Sequence, residues 1–297
     1  MRGWGFVACL VALGSATSAV AGELRRAIPD DNLAYPVHAV ILDGDDSSGS
    51  GFYLNTDTEV FFVTAAHVIF DIETLTKLRG KRLRLSSWPK DPTEQNRNIV
   101  EVDLSTVQAN GDLRKHATHD VAVVRVGSGA QRLTFFPGVT LVTKAESGIL
   151  CVDVDFTLAF ADVLVANDVY LLGYPTSLGL KKIPQIDFDR PLLRKGIVAG
   201  LNAKTKGIVL DCPSYGGNSG GPVLQISGEG LGYRLRVIGV MRQFVPYTEV
   251  WENKAQKYSV GILLNSGYSV AEPMDAVWTL VNYVPQPSSS PSPVPSP

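Results

Sequence analysis

From residue 35 onward the chain is cut into short pieces, and this punctuation constrains the fold more than any other feature. Apolar or alternating runs at 37–42, 51–54, 60–63, 82–85, 99–104 and 121–126 are separated by Gly, Asp, Asn or Pro. After a loop-like stretch at 127–148 the pattern resumes at 152–158, 168–172, 196–201, 207–210, 222–226, 235–240 and 258–263. Runs of this length suit strands rather than helices. Many such strands with turn chemistry between them predict an all-β sandwich or barrel. The break in the middle predicts two barrels of similar size, at 22–138 and 139–268.

One helix is expected at the end, over 269–284. Ser269 and Glu272 have capping-box spacing, Pro273 suits a first turn, and Met274, Val277, Trp278 and Val281 recur at helical period. Residues 285–297 are almost entirely Pro and Ser, which cannot bury a core, so a disordered or polyproline-like tail is expected there.

The first 21 residues read as a secretory signal. Arg2 gives a positive start, residues 4–13 an apolar segment, and Ala19-Val20-Ala21 a small-x-small cleavage site before Gly22. The apolar segment is too short for a stable membrane anchor. A secreted or periplasmic protein is therefore expected. Cys151 and Cys212 would then sit where a disulfide persists, and sequence leaves open whether they pair. The formal charge of −2 implies no basic face for nucleic acid. No His- or Cys-rich tract suggests a metal.

Three segments fit one chemistry. In Gly216-Gly217-Asn218-Ser219-Gly220-Gly221-Pro222, glycines on both sides of a serine permit a tight loop and close substrate approach, and a buried strand follows. In Phe61-Phe62-Val63-Thr64-Ala65-Ala66-His67, a β-branched and aromatic strand ends in small residues just before a histidine. That places a general base at the end of a rigid element. Asp120 immediately precedes the apolar run Val121-Ala122-Val123-Val124 and can orient an imidazole. Alone, His67 reads as a packed or surface histidine and Asp120 as a turn residue; together with Ser219 they form a catalytic triad. His116 and His119 lack a preceding strand of that kind and read as loop or rim histidines.

These motifs, T-A-A-H at 64–67, H-D-V-A-V-V at 119–124 and G-N-S-G-G-P at 217–222, resemble those of the trypsin-like (chymotrypsin-fold) serine peptidases, in the same chain order. Gly49-Ser50-Gly51-Phe52, Gly173-Tyr174-Pro175 and Lys195-Gly196-Ile197-Val198 resemble the bacterial exported HtrA-like branch. No PDZ domain is expected after the protease region, in contrast to that branch. The resemblance implies two six-stranded barrels with the active site between them, and a serine endopeptidase acting on protein or peptide without a cofactor. It implies Ser219 as nucleophile, His67 as general base, Asp120 as its orienting acid, and the N–H groups of Gly217 and Ser219 as an oxyanion hole. By position it maps the substrate pocket to Cys212, Pro213 and Tyr215, to Val240 and Met241, and to Val260. These suggest a preference for small or medium apolar side chains. Asn218 stands where digestive members carry an Asp, so their salt-bridge activation switch is not expected. The rival readings are an inactive protease fold kept for binding or chaperoning, and an esterase with the same triad.

Overall fold

The computed structural model describes residues 28–45, 47–91, 93–129, 133–176, 183–227 and 234–285. The expected signal segment, the tail from 286 and residues 177–182 lie outside them.

A short helix α1 (Asp30–Ala34) leads into strands β1 (Pro36–Leu42), β2 (Ser48–Asn55) and β3 (Glu59–Thr64), then helix α2 (Ala66–Ile69). Next come β4 (Arg82–Ser87), β5 (Asn98–Asp103), α3 (Leu104–Ala109), β6 (Leu113–Lys115), β7 (Ala122–Ser128), β8 (Thr134–Phe135), β9 (Val139–Thr143) and β10 (Val152–Asp153). These ten strands form one sheet with the central order β6-β7-β3-β2-β1-β4-β5-β9, while β8 pairs with β7 and β10 with β2. The sheet wraps a core that includes Ile41, Tyr53, Phe62, Leu83, Leu85, Val102 and Val124.

The second unit contains β11 (Asp168–Gly173), β12 (Leu192–Asn202), β13 (Gly207–Asp211), β14 (Pro222–Ser227), β15 (Arg234–Asn253) and β16 (Tyr258–Pro273), which close into a six-stranded barrel. Its core includes Leu171, Val198, Leu210, Val223 and Ile238. The mostly-β fold with two units is the expected one, and its first unit differs in detail. It has ten strands rather than six, and it keeps β9, so the first unit runs past residue 138. The run at 152–158 is strand for two residues and then a 3₁₀ turn at Val154–Phe156.

A third apolar cluster joins the units. Phe52, Phe61, Val121 and Val123 of the first unit meet Leu224, Val237 and Val240 of the barrel and Met274, Val277, Trp278 and Val281 of helix α4 (Met274–Val281). The helical periodicity holds, but the start does not. Ser269 to Glu272 is strand, because its polar groups are engaged across the sheet rather than capping a helix: the Ser269 hydroxyl donates to the Cys212 carbonyl at 2.8 Å. Pro273 takes the N-cap position instead. Arg114 from β6 donates to the carbonyl of Leu280 at 2.8 Å, satisfying the helix C-terminus. Residues 183–191, ahead of β12, dock on the first unit, where the Trp88 indole donates to the Asp189 carbonyl at 2.7 Å and Arg190 stacks 3.9 Å above its ring.

Candidate active site

Strand β3 ends in a fully buried run, Phe61-Phe62-Val63-Thr64, and it delivers the equally buried Ala65 and Ala66 to a turn. The single turn of α2 then carries His67 outward into the cleft between the units. Asp120 pins this turn three ways. Its carbonyl accepts the Ala66 N–H at 3.2 Å, one carboxylate oxygen accepts the His67 N–H at 3.0 Å, and the other meets His67 Nδ1 at 2.6 Å. Both side chains are mostly buried, at 17% and 11% exposure, so the pair is shielded from water. Burial pushes the Asp120 carboxyl up, but the bonds and charge of His67 and the charge of Arg242 outweigh it and hold the carboxyl below its ordinary value. The acid is thus ionised where it can hold one imidazole tautomer and stabilise an imidazolium.

Ser219 faces the same cleft, a space of ≈ 410 Å³ lined by His67, Asp120, Ser219, Tyr215, Met241 and Phe244 among others. Its hydroxyl donates to the Arg242 carbonyl at 3.0 Å. No Ser219–His67 hydrogen bond forms in this resting arrangement. The loop ahead of it is a tight turn in which the Asn218 N–H bonds the Tyr215 carbonyl at 2.9 Å, with Gly217 at φ +99° in its third position. A Cβ at Gly217 would lie 2.2 Å from the Tyr174 carbonyl oxygen, so backbone angle and space both demand glycine. The backbone N–H groups of Gly217 and Ser219 have no acceptor among the described residues. Two unpaired donors beside a serine hydroxyl can stabilise a developing oxyanion.

Ser50 locks this loop from the opposite unit. Its N–H donates to the Ser219 carbonyl at 2.7 Å, its hydroxyl donates to the Gly217 carbonyl at 2.7 Å, and the same hydroxyl accepts the Tyr174 N–H at 2.9 Å. Thr64 in turn donates to the Ser50 carbonyl at 2.7 Å. The Asn218 amide oxygen accepts the Tyr215 N–H at 3.0 Å, so the buried Asn218 braces the turn from within. Glu272, nearly fully buried, sits behind Asp120. It faces His119 Nδ1 at 2.6 Å, accepts from Arg242 at 3.0 Å and accepts the Asp120 N–H at 3.3 Å. Sequence reasoning missed the work of Ser50, Glu272 and His119. The signals were an isolated serine between glycines and a lone acid in the apolar run Val270-Ala271-Glu272-Pro273-Met274.

The substrate pocket departs further from expectation. Tyr215 and Met241 line the cleft, joined by Ser214, Gly216, Gln243 and Pro246. Cys212 and Val240 are fully buried in the apolar cores and do not line it. Pro213 is half-buried outside the lining. Val260 pairs with Trp251 far out on the β15–β16 hairpin. Strands β15 and β16 run 20 and 16 residues, and this length carries Val260 away from the cleft. The part of β16 nearest the cleft wall is Asn265, whose amide donates to the Ser214 carbonyl at 2.7 Å. Arg242 also lines the cleft, and its guanidinium donates to Glu272 at 3.0 Å.

The two thiols are free. Cys151 packs on the first core and Cys212 within the second, and among the described residues no cluster of potential ligands would hold a metal.

The model for the trypsin-like peptidase domain matches residues 49–232, more than half of the chain, and the chain belongs to that family. Similar solved structures include the serine endoprotease from Yersinia pestis, with a TM-score of 0.48 and 14% identity over 87% of this chain and 67% of its own. Deg5 aligns with a TM-score of 0.47 and 17% identity, over 83% of this chain and 87% of its own. No curated protein matches the sequence.

Proposed function

We propose that the protein is an exported serine endopeptidase that cleaves peptide bonds through an acyl-enzyme. Ser219 attacks the scissile carbonyl, and His67 takes its proton and returns it to the leaving amine. Asp120 orients His67, while the Gly217 and Ser219 N–H groups hold the oxyanion. The observation that carries this reading is the 2.6 Å His67–Asp120 bond in one cleft with Ser219 and two unpaired backbone donors. The lining of small, aromatic and thioether side chains favours small or medium apolar residues before the cleaved bond. Export rests on the signal-like segment at residues 1–21.

A second reading has one observation in its favour. The Ser219 hydroxyl is held by the Arg242 carbonyl rather than by His67, as suits a protease fold kept for binding. A fluorophosphonate probe separates the two. The wild-type protein labels at Ser219 and hydrolyses casein, whereas Ser219→Ala does neither and keeps the same circular dichroism. Unlabelled wild-type protein that binds casein without cleaving it would leave the binder as the answer.

A further inference from the structure

Strand β15 leaves its barrel partner and continues outward. The last register pair between β14 and β15 is Pro222 with Val240, closed by bonds between Gly220, Gly221 and Met241. From Gln243 to Asn253, β15 pairs among the described residues with β16 alone. Strand β16 loses its other neighbour, β13, beyond Tyr268. The result is a two-stranded arm whose β15 edge pairs with no further strand among the described residues. Its base is in the cleft, because Arg242, Gln243, Phe244 and Pro246 line it and the Arg242 carbonyl meets the Ser219 hydroxyl.

The arm has two unlike faces. Residues directly opposite in an antiparallel pair share a face. Tyr247 opposes Leu264, Glu249 opposes Ile262, and Trp251 opposes Val260. One face is therefore an apolar stripe broken by Glu249 alone. Tyr247 is 50% exposed and Trp251 61%, where side chains of this kind are normally covered. The other face carries Thr248, Glu252 and Ser259 beside Val250 and Leu263. A two-stranded ribbon is marginal alone, and a long bare edge next to an apolar stripe is a template for a third strand.

We propose that this arm is an extended docking edge for the substrate: an unfolded protein segment with apolar residues at alternate positions adds to β15 as an antiparallel strand. The proposal rests on the endopeptidase reading of the cleft. Because β15 runs outward, an antiparallel partner runs inward, so the residues before the scissile bond lie along the arm. From Arg242 to Glu252 the edge reaches about 33 Å, at roughly 3.3 Å per residue. Alternate substrate side chains then fall beside Tyr247 and Trp251. Continuity with the cleft favours the substrate over a second copy of the chain, which would obstruct it. Glu249 within the stripe and Glu252 beside it disfavour a lipid surface.

The test uses the whole chain carrying Ser219→Ala, so that binding is read without cleavage. The probe is fluorescein-labelled, reduced and carboxymethylated lactalbumin, a permanently unfolded chain. Adding Tyr247→Ser and Trp251→Ser is expected to weaken binding about 10–100-fold by fluorescence anisotropy. Equal affinity overturns the proposal. With Ser219 restored, the double substitution should lower kcat/KM on the unfolded probe about tenfold and leave a short chromogenic peptide unaffected. Equal losses on both substrates overturn it. If no substrate is cleaved while arm-dependent binding persists, the peptidase reading fails and the docking edge stands. Sedimentation equilibrium covers the other occupant: a dimer dissociated by the same two substitutions makes the arm a self-association surface and overturns the proposal.

Discussion

The Glu272 carboxylate accepts the backbone N–H of Asp120 at 3.3 Å, and so ties a strand of the second unit to the residue that orients His67 in the first. The same oxygen accepts from Arg242 at 3.0 Å, and Arg242 Nε lies 4.0 Å from the Asp120 carboxylate. Glu272 thus holds Arg242 partly away from the Asp120 carboxylate while neutralising it. Its own side chain is 3% exposed, so removing it strands its partners.

Glu272→Ala is expected to cost about 1.5–3 kcal/mol, the range for bonds to a charged group. For a protein of this size that lowers Tm by about 3–12 °C. If Glu272 positions the triad, kcat on a short peptide falls with little change in KM, and the pH profile moves as Arg242 is released toward Asp120. Glu272→Gln keeps an acceptor for the Asp120 N–H and should recover much of the stability and less of the profile. Thermal melts and kcat measured against pH check this. A melt that falls while kcat and its pH profile stay unchanged would leave Glu272 a purely structural residue.

Gly217→Ala tests the oxyanion turn. The new Cβ would meet the Tyr174 carbonyl oxygen at 2.2 Å, and the φ of +99° is one that alanine resists. The turn must shift and take its N–H out of aim. Losing one oxyanion donor costs about 10²–10³ in kcat. Steady-state kinetics should show that loss mainly in kcat. A variant with wild-type turnover would remove Gly217 from the mechanism.

The three residues that the structure brings to one cleft were legible in the sequence because each sits beside a local backbone constraint: glycines around Ser219, alanines before His67, a buried strand after Asp120. Such constraints are encoded within a few residues. Glu272 and Ser50 were not legible, because their roles depend on partners 152 and 169 positions away. The pocket was misplaced for a related reason. Hairpin length decides which residues of β16 reach the cleft, and the apolar run at 258–263 reads equally well as a barrel strand or as an exposed arm. The capping-box pattern at Ser269 failed because strand pairing and buried partners outcompeted a local helix start, a case of tertiary context overriding pattern.

The depressed Asp120 titration sets an acid limb. Burial opposes ionisation, and the bonds and charge of His67 with the charge of Arg242 outweigh it, so the folded carboxyl titrates below its ordinary 3.8. A depressed folded value contributes stability that is present above about pH 4 and lost as pH falls through the folded value. The stability difference between wild type and Asp120→Asn should therefore be largest near neutrality and shrink below about pH 4, as read from urea midpoints. Activity of Asp120→Asn should be lower by about 10⁴ at neutral pH, since the imidazole loses the partner that fixes its tautomer. A stability difference that grew in acid would contradict the sign.

The cysteines carry the last prediction. Burial pushes the Cys151 thiol up to about 12 and the Cys212 thiol to about 11. A thiol is nucleophilic as the thiolate, so both are inert near neutrality while the fold holds. They also belong to different cores, one packed on the core of the first sheet and the other inside the second barrel. Forming a bridge would require breaking one of these cores. Protein recovered from an oxidising compartment should therefore keep Cys151 and Cys212 as free thiols. Both should be slow toward Ellman's reagent at pH 8 and react fully in guanidinium. Peptide mapping without reductant decides the matter: a linked Cys151–Cys212 peptide would mean that the two cores do not pack as described.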